Sequence, residues 1–428
     1  MRKKVLVYPC GTEIGLEVYK AVCNSIHFEL YGGSCSYDHG RFVYENHIDN
    51  LPFIRDNSSR EEIEEFNRQI AEYGFDYIYP AMDGVITVFS KYRDALTPCL
   101  VAPDYETNEI TRSKYKTLKM FEGIMPTPTL YENDEEIEKY PVFMKPDVGQ
   151  GSVGTMKIES AEKLDSQKQN REGKLILEYL PGEEYTIDCF TNGDGELLFA
   201  KGRGRRRIKS GISVNAVYCE NPLFEKYAQI INEKLRQKGA WFFQLREAED
   251  GTLKLLEIAS RIAGTSAITR NLGVNLPLLT LNVFDGQNID SVMPNDYPIE
   301  LDRAFENKYK IDLDYDAVYV DYDDTLILEK KNVNLQLVKF LYQCVNQKKK
   351  IYLITKHIGD LKTEMKEFRI SGLFDEVIHI SREEKKIDYI TDANAIFIDD
   401  SYNERRMIKE KYDIPVFDTH MIECLMED

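Results

Sequence analysis

The chain has 428 residues, 43% of them apolar, with 27 tyrosines and 20 phenylalanines. That length exceeds what one hydrophobic core organises, so two or three folded domains are expected. A formal charge of −18 would be repelled by nucleic acid and by anionic membranes, which excludes a general binder of either.

The first residues, MRKKVLVYPCGTEIG, carry an apolar run too short for a signal peptide and soon meet Glu13. No run approaches the roughly 20 apolar residues of a membrane helix, so a cytoplasmic protein with no membrane partner is expected. Eight cysteines stand singly, without a C-x-x-C pair, and six histidines are dispersed. Buried, reduced thiols are expected rather than a disulfide or zinc framework, and zinc-hydrolase or Ser-His chemistry finds no support.

From residue 4 strands alternate with helices: KVLVYP, then EIGLEVYKAVCNS, later FDYIYPAM, then GVITVFSKYRDAL. Such alternation predicts a parallel, doubly wound sheet over residues 1–108. The first strand-to-helix turn, Cys10 to Gly15, is either a ligand-facing helix entry or a purely structural turn, since it lacks the third glycine of a dinucleotide fingerprint.

Residues 109–295 change character. PVFMKP, GTMKIES, KLILEYL, YTIDCFTNGDGELLFAKG and WFFQLREAEDGTLKLLEI read as strands joined by Gly-rich turns, with helices at LFEKYAQIINEKLRQKG and NLPLLTLNVFDG. This is an α+β segment. Residues 296–313, polar and without period, are the expected linker, and residues 314–428 return to α/β alternation as a compact domain.

In the middle segment Lys145 ends a strand, and Gly149, Gln150, Gly151, Ser152, Val153 and Gly154 follow. The loop is either a simple turn or a cradle of amides for phosphates, with the lysine adding charge. Downstream, the strand ending in Glu178, Tyr179 and Leu180 offers backbone groups to an adenine edge, and Glu184 an acceptor for a ribose. Gln244 and Glu257 lie on two strands about the turn Glu249-Asp250-Gly251, where their oxygens can hold magnesium. Arg261 follows with a fork of donors suited to phosphate or carboxylate. The basic run KGRGRRRIKSG at 201–211 has three readings: a short nucleic-acid patch, a solvated strand and loop, or phosphate contacts through Arg203, Arg205 or Arg207.

Together these residues, with Lys114 of TRSKYKTLKMF and the stretch LLEIASRIAGTS, resemble the ATP-grasp superfamily in its carbamoyl-phosphate-synthase-like branch. The resemblance covers residues 1 to 295, with 1–108 as the α/β domain preceding the ATP-grasp domain proper. It implies that Lys114 and Lys145 contact ATP phosphates, with Gly151 and Ser152 in the covering loop; on the phosphate reading of the basic run, Arg205 would stand at the mouth of that site. Glu178, Tyr179 and Leu180 would meet the adenine, Glu184 the ribose, and Gln244 and Glu257 magnesium, with manganese as the alternative ion. At the second metal-binding strand the family carries Glu-x-Asn-x-Arg, but this chain has Glu257-Ile258-Ala259-Ser260-Arg261. Alanine cannot ligate, so a second ion would rely on Gln244, phosphates and water. Such enzymes phosphorylate a carboxylate with ATP, after which an amine attacks the acyl phosphate.

In the last segment VYVDYDDTLIL ends a strand in Asp321, Asp323 and Asp324. At about 4 Å and an effective dielectric near 20, two such charges repel by roughly 4 kcal/mol, so a positive partner is expected. Thr355 follows the next strand, Lys385 and Lys386 precede a helix, and Asp399 and Asp400 follow AIFI. Strand ends of an open parallel sheet are where ligands bind, and these groups make a magnesium and phosphate constellation. The pattern resembles the haloacid dehalogenase superfamily over residues 315–428, a Rossmann-like domain here without room for a large cap. The resemblance implies Asp321 as nucleophile, Asp323 as general acid/base, and Thr355 with Lys386 (or Lys385) on the phosphoryl group. Magnesium would be held by Asp321, Asp323, Asp399 and Asp400.

The expected protein is a bifunctional enzyme, an ATP-dependent carboxylate-amine ligase fused to a magnesium phosphatase, taking a small-molecule carboxylate and an amine. In one version the amine is phosphorylated and the phosphatase removes that phosphate from the amide. A homo-oligomer is compatible with the sequence. The alternatives are a small-molecule kinase paired with a phosphatase, and an ATP-sensing module that gates the phosphatase.

Overall fold

The run Val5-Leu6-Val7 is buried on both sides, as a central strand of a parallel sheet must be. A computed structural model describes residues 2–149, 151, 153–209, 212–304, 308–309 and 311–427, with 209 and 212 by backbone alone. The expected phosphate-loop residues Gln150 and Ser152 and the end of the basic run therefore lie outside the described residues. Two compact units divide the chain, Met1–Phe305 and Glu306–Asp428.

The first unit begins with five parallel strands in the order Asn46–Ile48, Phe28–Gly33, Lys3–Tyr8, Tyr77–Pro80, Cys99–Leu100. Helix Glu13–Val22 packs Ile14, Val18 and Val22 on one face of this sheet. Helix Arg60–Ile70 packs Ile63, Phe66 and Ile70 on the other, at the three-and-four spacing of an apolar helix stripe. Ser59 and Glu62 close a reciprocal capping box at its start.

Two antiparallel sheets follow. One has four strands in the order Leu130–Tyr131, Lys174–Glu178, Val142–Pro146, Met156–Ile158. The other has six, Leu253–Ala259, Gly239–Glu247, Glu184–Thr191, Leu197–Lys209, Ile212–Cys219 and Glu300–Asp302. Phe190, Phe199, Leu276 and Leu281 join Val5, Val7 and Tyr79 in one core, so residues 1–108 and the antiparallel segment share buried surface.

The basic run is placed here, and one expectation is corrected. The basic run continues the strand Leu197–Lys209, and its charges are distributed along it: Arg203 is buried against Asp188, while exposed Arg207 pairs with Asp302 at 2.7 Å. Part of the segment 296–313 expected as linker is a strand, because Glu300–Asp302 completes the edge beside Ile212–Cys219 and supplies the acids that meet Arg206 and Arg207.

The second unit is a five-stranded parallel sheet in the order Glu376–His379, Lys350–Thr355, Ala317–Val320, Ala395–Ile398, Val416–Phe417. Counted along the chain this is the 3-2-1-4-5 order of the first sheet again. A small hairpin, Ile327–Leu328 with Asn332–Val333, stands between the aspartate loop and helix Leu335–Asn346. Among the described residues no helix is long and apolar enough to cross a membrane.

Candidate functional site

In the first unit the loop after Val142–Pro146 is tied to the start of helix Lys114–Phe121. Ser113 caps that helix through Lys116 N and donates its hydroxyl to Asp147 at 2.9 Å, while Tyr115 N donates to the same carboxylate at 2.7 Å. Lys114 Nζ then reaches the carbonyls of Asp147 and Gly149, both at 3.3 Å. Lys145 points inward and donates to Leu256 O at 3.3 Å. Its burial pushes its pKa down to about 8, against the opposing pull of Glu257 and with Lys114 adding to the depression.

Gln244 and Glu257 stand directly opposite each other on neighbouring strands. Two cavities meet at this pair. One, of about 240 Å³, is lined by Lys145, Glu178, Tyr179, Leu180 and Glu184, and the other, of about 350 Å³, by Thr12, Asp83, Arg112 and Arg261. Lys114, Gly149, Gly151, Arg205, Gln244 and Glu257 line both. The structure thus gathers the described members of the expected nucleotide set into one cleft.

Several expected contacts are already taken by protein partners. Glu184 forms an ion pair with Arg205, Glu178 accepts from Lys254 at 2.6 and 2.8 Å, and Arg261 grips both oxygens of Asp83 at 2.6 and 2.7 Å. Burial raises the Asp83 carboxyl, but Arg261, Arg112 and Lys114 around it outweigh that and hold it below its ordinary range. Of the three arginines proposed from the basic run only Arg205 lines the cleft.

Sequence reasoning missed Asp83 and Arg112. Asp83 follows the strand Tyr77–Pro80, adjacent in the sheet to Lys3–Tyr8, so its place at a parallel-sheet mouth was the available signal. The Cys10–Gly15 turn serves both readings: Thr12 caps its helix and lines the larger cavity, and a Cβ on Gly15 would lie 2.3 Å from Cys10 O, so that glycine is required by packing.

The scattered cysteines and histidines hide one cluster. Cys10, Asp38 and His47 bring ligand atoms within 4.8 Å of one another. The Ser34 hydroxyl sits among them, 3.2 Å from Cys10 Sγ, 3.0 Å from Asp38 and 3.1 Å from His47 Nε2. One donor and two acceptor positions are all a hydroxyl has, so these three contacts use the full capacity of Ser34.

In the second unit Asp321 and Asp399 follow adjacent central strands whose last residues, Val320 and Ile398, are in register. The expected positive partner is Lys386, whose ammonium donates to Asp321 at 2.5 Å and to Asp399 at 2.6 Å. Of the two expected lysines Lys386 is the buried one and Lys385 is exposed. Burial raises the Asp321 carboxyl, with the Asp399 charge adding to it and Lys386 opposing. Thr355 is fully buried at the end of the next strand, and its hydroxyl accepts from His357 N at 3.1 Å.

Oxygens of Asp321, Asp399 and Asp400 lie within 4.8 Å of one another, a donor set suited to a hard divalent cation. Asp323 does not join that set, contrary to expectation. Its carboxylate instead faces His357 Nδ1 at 3.0 and 3.1 Å, because alternate residues past the strand end do not continue the strand's facing. Arg405, also unforeseen, donates to the carbonyls of Asp399 and Asp400 at 2.5 and 2.8 Å and so holds the loop that carries both acids.

Comparison with known proteins bears on the first unit. Residues 170–304 match the family model described as ATP-grasp in the biosynthetic pathway with Ter operon. The biotin carboxylase domain of Hydrogenobacter thermophilus 2-oxoglutarate carboxylase, solved with MgADP and bicarbonate, aligns over 68% of this chain and 71% of its own at 16% identity and a TM-score of 0.56. Staphylococcus aureus N5-carboxyaminoimidazole synthetase with ADP aligns over 70% and 81% at 11% identity and 0.57. L-amino acid ligase from Bacillus licheniformis aligns over 66% and 74% at 15% identity and 0.53. No curated protein matches in sequence.

These likenesses establish the fold class: a mixed α/β chain with an ATP-grasp-like domain similar to biotin carboxylase and N5-carboxyaminoimidazole synthetase. ATP and Mg2+ are the cofactors of that fold, and both structures hold ADP, the carboxylase with magnesium.

Proposed function

We propose that the first unit is an ATP-dependent carboxylate-amine ligase and the second a magnesium-dependent phosphatase that acts on a phosphomonoester, in the specific version the phosphorylated product of ligation. The observation that carries the ligase reading is the pair of cavities sharing Lys114, Arg205, Gln244 and Glu257. One is lined by the residues expected to meet a nucleotide, and the other by Arg112 and Arg261, which suit an acceptor anion. A phosphoryl group passing from the first to the second would cross the shared wall.

In that reading a carboxylate oxygen attacks the terminal phosphorus of ATP, the bond to the ADP oxygen breaks, and an acyl phosphate forms. The amine nitrogen then attacks the carbonyl carbon, the carbon-to-phosphate-oxygen bond breaks, and inorganic phosphate leaves as the nitrogen gives up a proton. Lys114 and Lys145 supply positive charge to the transferring group, and Arg261 is placed for the acceptor anion once it exchanges Asp83 for it. Glu257 and Gln244 would hold magnesium, which neutralises phosphate charge.

For the second unit the supporting observation is Lys386 bridging Asp321 and Asp399 at two adjacent strand ends. Asp321 would attack the phosphorus of a monoester while the leaving oxygen takes a proton from Asp323. Water then attacks the aspartyl phosphate, returning a proton to Asp323 and releasing phosphate. Asp321, Asp399 and Asp400 would hold the cation, which offsets charge on the transferring phosphoryl group.

Phosphorus NMR of the protein with ATP, magnesium and pools of carboxylates and phosphorylated amines tests both halves. ADP, phosphate and an amide support the ligase, whereas ADP with a stable new phosphoester and no amide would replace it with a kinase. A phosphoester amide that persists only in an Asp321→Asn variant would join the two activities.

Lys145 adds a pH signature. Its folded pKa of about 8 lies below the ordinary 10.5, so its burial costs stability at and below pH 8, roughly 3 kcal/mol, and that cost is lost as pH rises toward 10.5. Nucleotide phosphates favour the ammonium form. ATP affinity is therefore expected to fall above pH 8, by up to about tenfold per pH unit, and Lys145→Arg to flatten the slope. Calorimetric titrations between pH 7 and 9.5 measure it, and identical slopes in both proteins would refute the assignment.

A further inference from the structure

We propose that His357 is a positioning residue that aims the Asp323 carboxylate for protonation of the leaving group, an inference that rests on the phosphatase reading of the second unit. The imidazole is 4% exposed and is held from several directions. Its Nδ1 faces both oxygens of Asp323 at 3.0 and 3.1 Å, and its Nε2 lies 3.2 Å from Glu364 Oε1. The Tyr322 ring meets it edge-on, with centroids 5.1 Å apart.

Its backbone is fixed as firmly. The amide donates to Thr355 Oγ1 at 3.1 Å, and the carbonyl lies 2.8 Å from His379 Nε2. One loop therefore carries both Thr355, expected on the phosphoryl group, and the ring that orients the acid.

Gly359 shows that the space is built for this ring. It has φ of +142°, and a Cβ there would lie 2.9 Å from His357 Nε2 and 3.2 Å from Glu364 Oε1. A side chain at 359 would be strained and would push the imidazole off Glu364.

The physical need follows from the site. Asp323 is followed by Asp324 at φ +56° and its backbone bridges Ile327, so its side chain emerges from a tight turn whose backbone contacts leave the carboxylate torsions unset. An undirected carboxylate with two free torsions spends little time in hydrogen-bond reach of a leaving oxygen. The ring, clamped between two carboxylates, removes that freedom without touching substrate.

Leaving-group dependence tests the role. An alkyl monoester such as glycerol phosphate needs its departing oxygen protonated, whereas p-nitrophenyl phosphate expels a stable phenolate. His357→Ala is expected to lower kcat on the alkyl ester about 100-fold, the low end for general acid catalysis, with less than about threefold loss on the aryl ester and little change in KM. His357→Asn, which keeps an amide nitrogen near the Nδ1 position, is expected to recover much of the loss, and Glu364→Gln, at a partly exposed position, gives a milder form of the same split should His357→Ala fail to fold. Equal losses on both esters, or none on either, overturn the proposal while leaving the phosphatase intact. Wild-type protein that releases phosphate from neither ester overturns the phosphatase reading and this role with it.

Discussion

Asp321→Asn is expected to abolish phosphate release from monoesters, by about 1,000-fold or more, while leaving the fold at least as stable as the parent. An amide nitrogen and oxygen in that place cannot form the aspartyl phosphate. Stability follows from the sign of the shift: burial raises the Asp321 carboxyl above its ordinary value, so the folded protein binds a proton there that the unfolded chain has already lost. Stability is then lost as pH rises through that interval, and at neutral pH the metal-free parent carries a charge the fold resists. Removing it takes away that penalty, and Lys386 keeps its second partner, Asp399. Phosphate assays paired with urea unfolding at pH 7 measure both. A variant that retains activity would show that Asp321 is not the nucleophile, and one that loses several kcal/mol would show that the ion pair with Lys386 outweighs burial.

Glu257→Gln is expected to have the next largest effect, a loss of about 100- to 1,000-fold in ATP turnover that added Mg2+ only partly restores. Opposite Glu257 stands a neutral amide, Gln244, and Ala259 lines the same cavity without a donor. Most of the carboxylate charge available to a cation at the junction of the two cavities thus comes from one side chain. The variant has a second signature, since the Glu257 charge supports the protonated form of Lys145. Its loss lowers the Lys145 pKa further and weakens magnesium-free nucleotide binding near pH 8. Turnover as a function of Mg2+ concentration, beside ATP binding in a chelator, separates the two effects. Unchanged turnover would remove Glu257 from the metal site.

Charge pairing accounts for why so many predicted ligand-binding groups are engaged by protein partners. Arg261 with Asp83, Arg205 with Glu184 and Arg112 with Asp56 each join an arginine of the cleft to an acid. An arginine buried without a partner would carry a large desolvation cost. On the proposed ligase reading a substrate carboxylate or phosphate would enter by exchange, taking over donors that Asp83 and Asp56 hold in a bidentate geometry.

The local content of the sequence was sufficient for much of this. Strand-helix alternation placed both parallel sheets, because periodicity and Gly-rich turns are properties of short windows. Lys145, Gln244 and Glu257 were singled out from their place on strands and beside turns, Lys114 only through the family resemblance, and the run from Asp321 to Thr325 by its unfavourable crowding of acids, which demanded a positive partner. Lys386 answers that demand from 65 residues away, a distance at which only its place before a predicted helix marked it.

What the sequence could not determine is who faces whom. Glu300–Asp302 looked like linker because three polar residues at a sheet edge have no apolar face to announce them, and they are a strand only because Ile212–Cys219 lies alongside. His357 looked like an isolated histidine until the tight turn at Asp324 swung Asp323 toward it, and Cys10 after the central strand, Asp38 before the turn His39–Phe42 and His47 in the edge strand Asn46–Ile48 became neighbours only through the fold. By itself the sequence determined most of the elements and their class and the residue types at the ends of the strands it marked, all of which depend on neighbours within a few residues. The tertiary structure alone decided the pairing of charges across strands, the junction of two cavities at Gln244 and Glu257, and the orientation of Asp323, because these depend on distances between residues that no local pattern encodes.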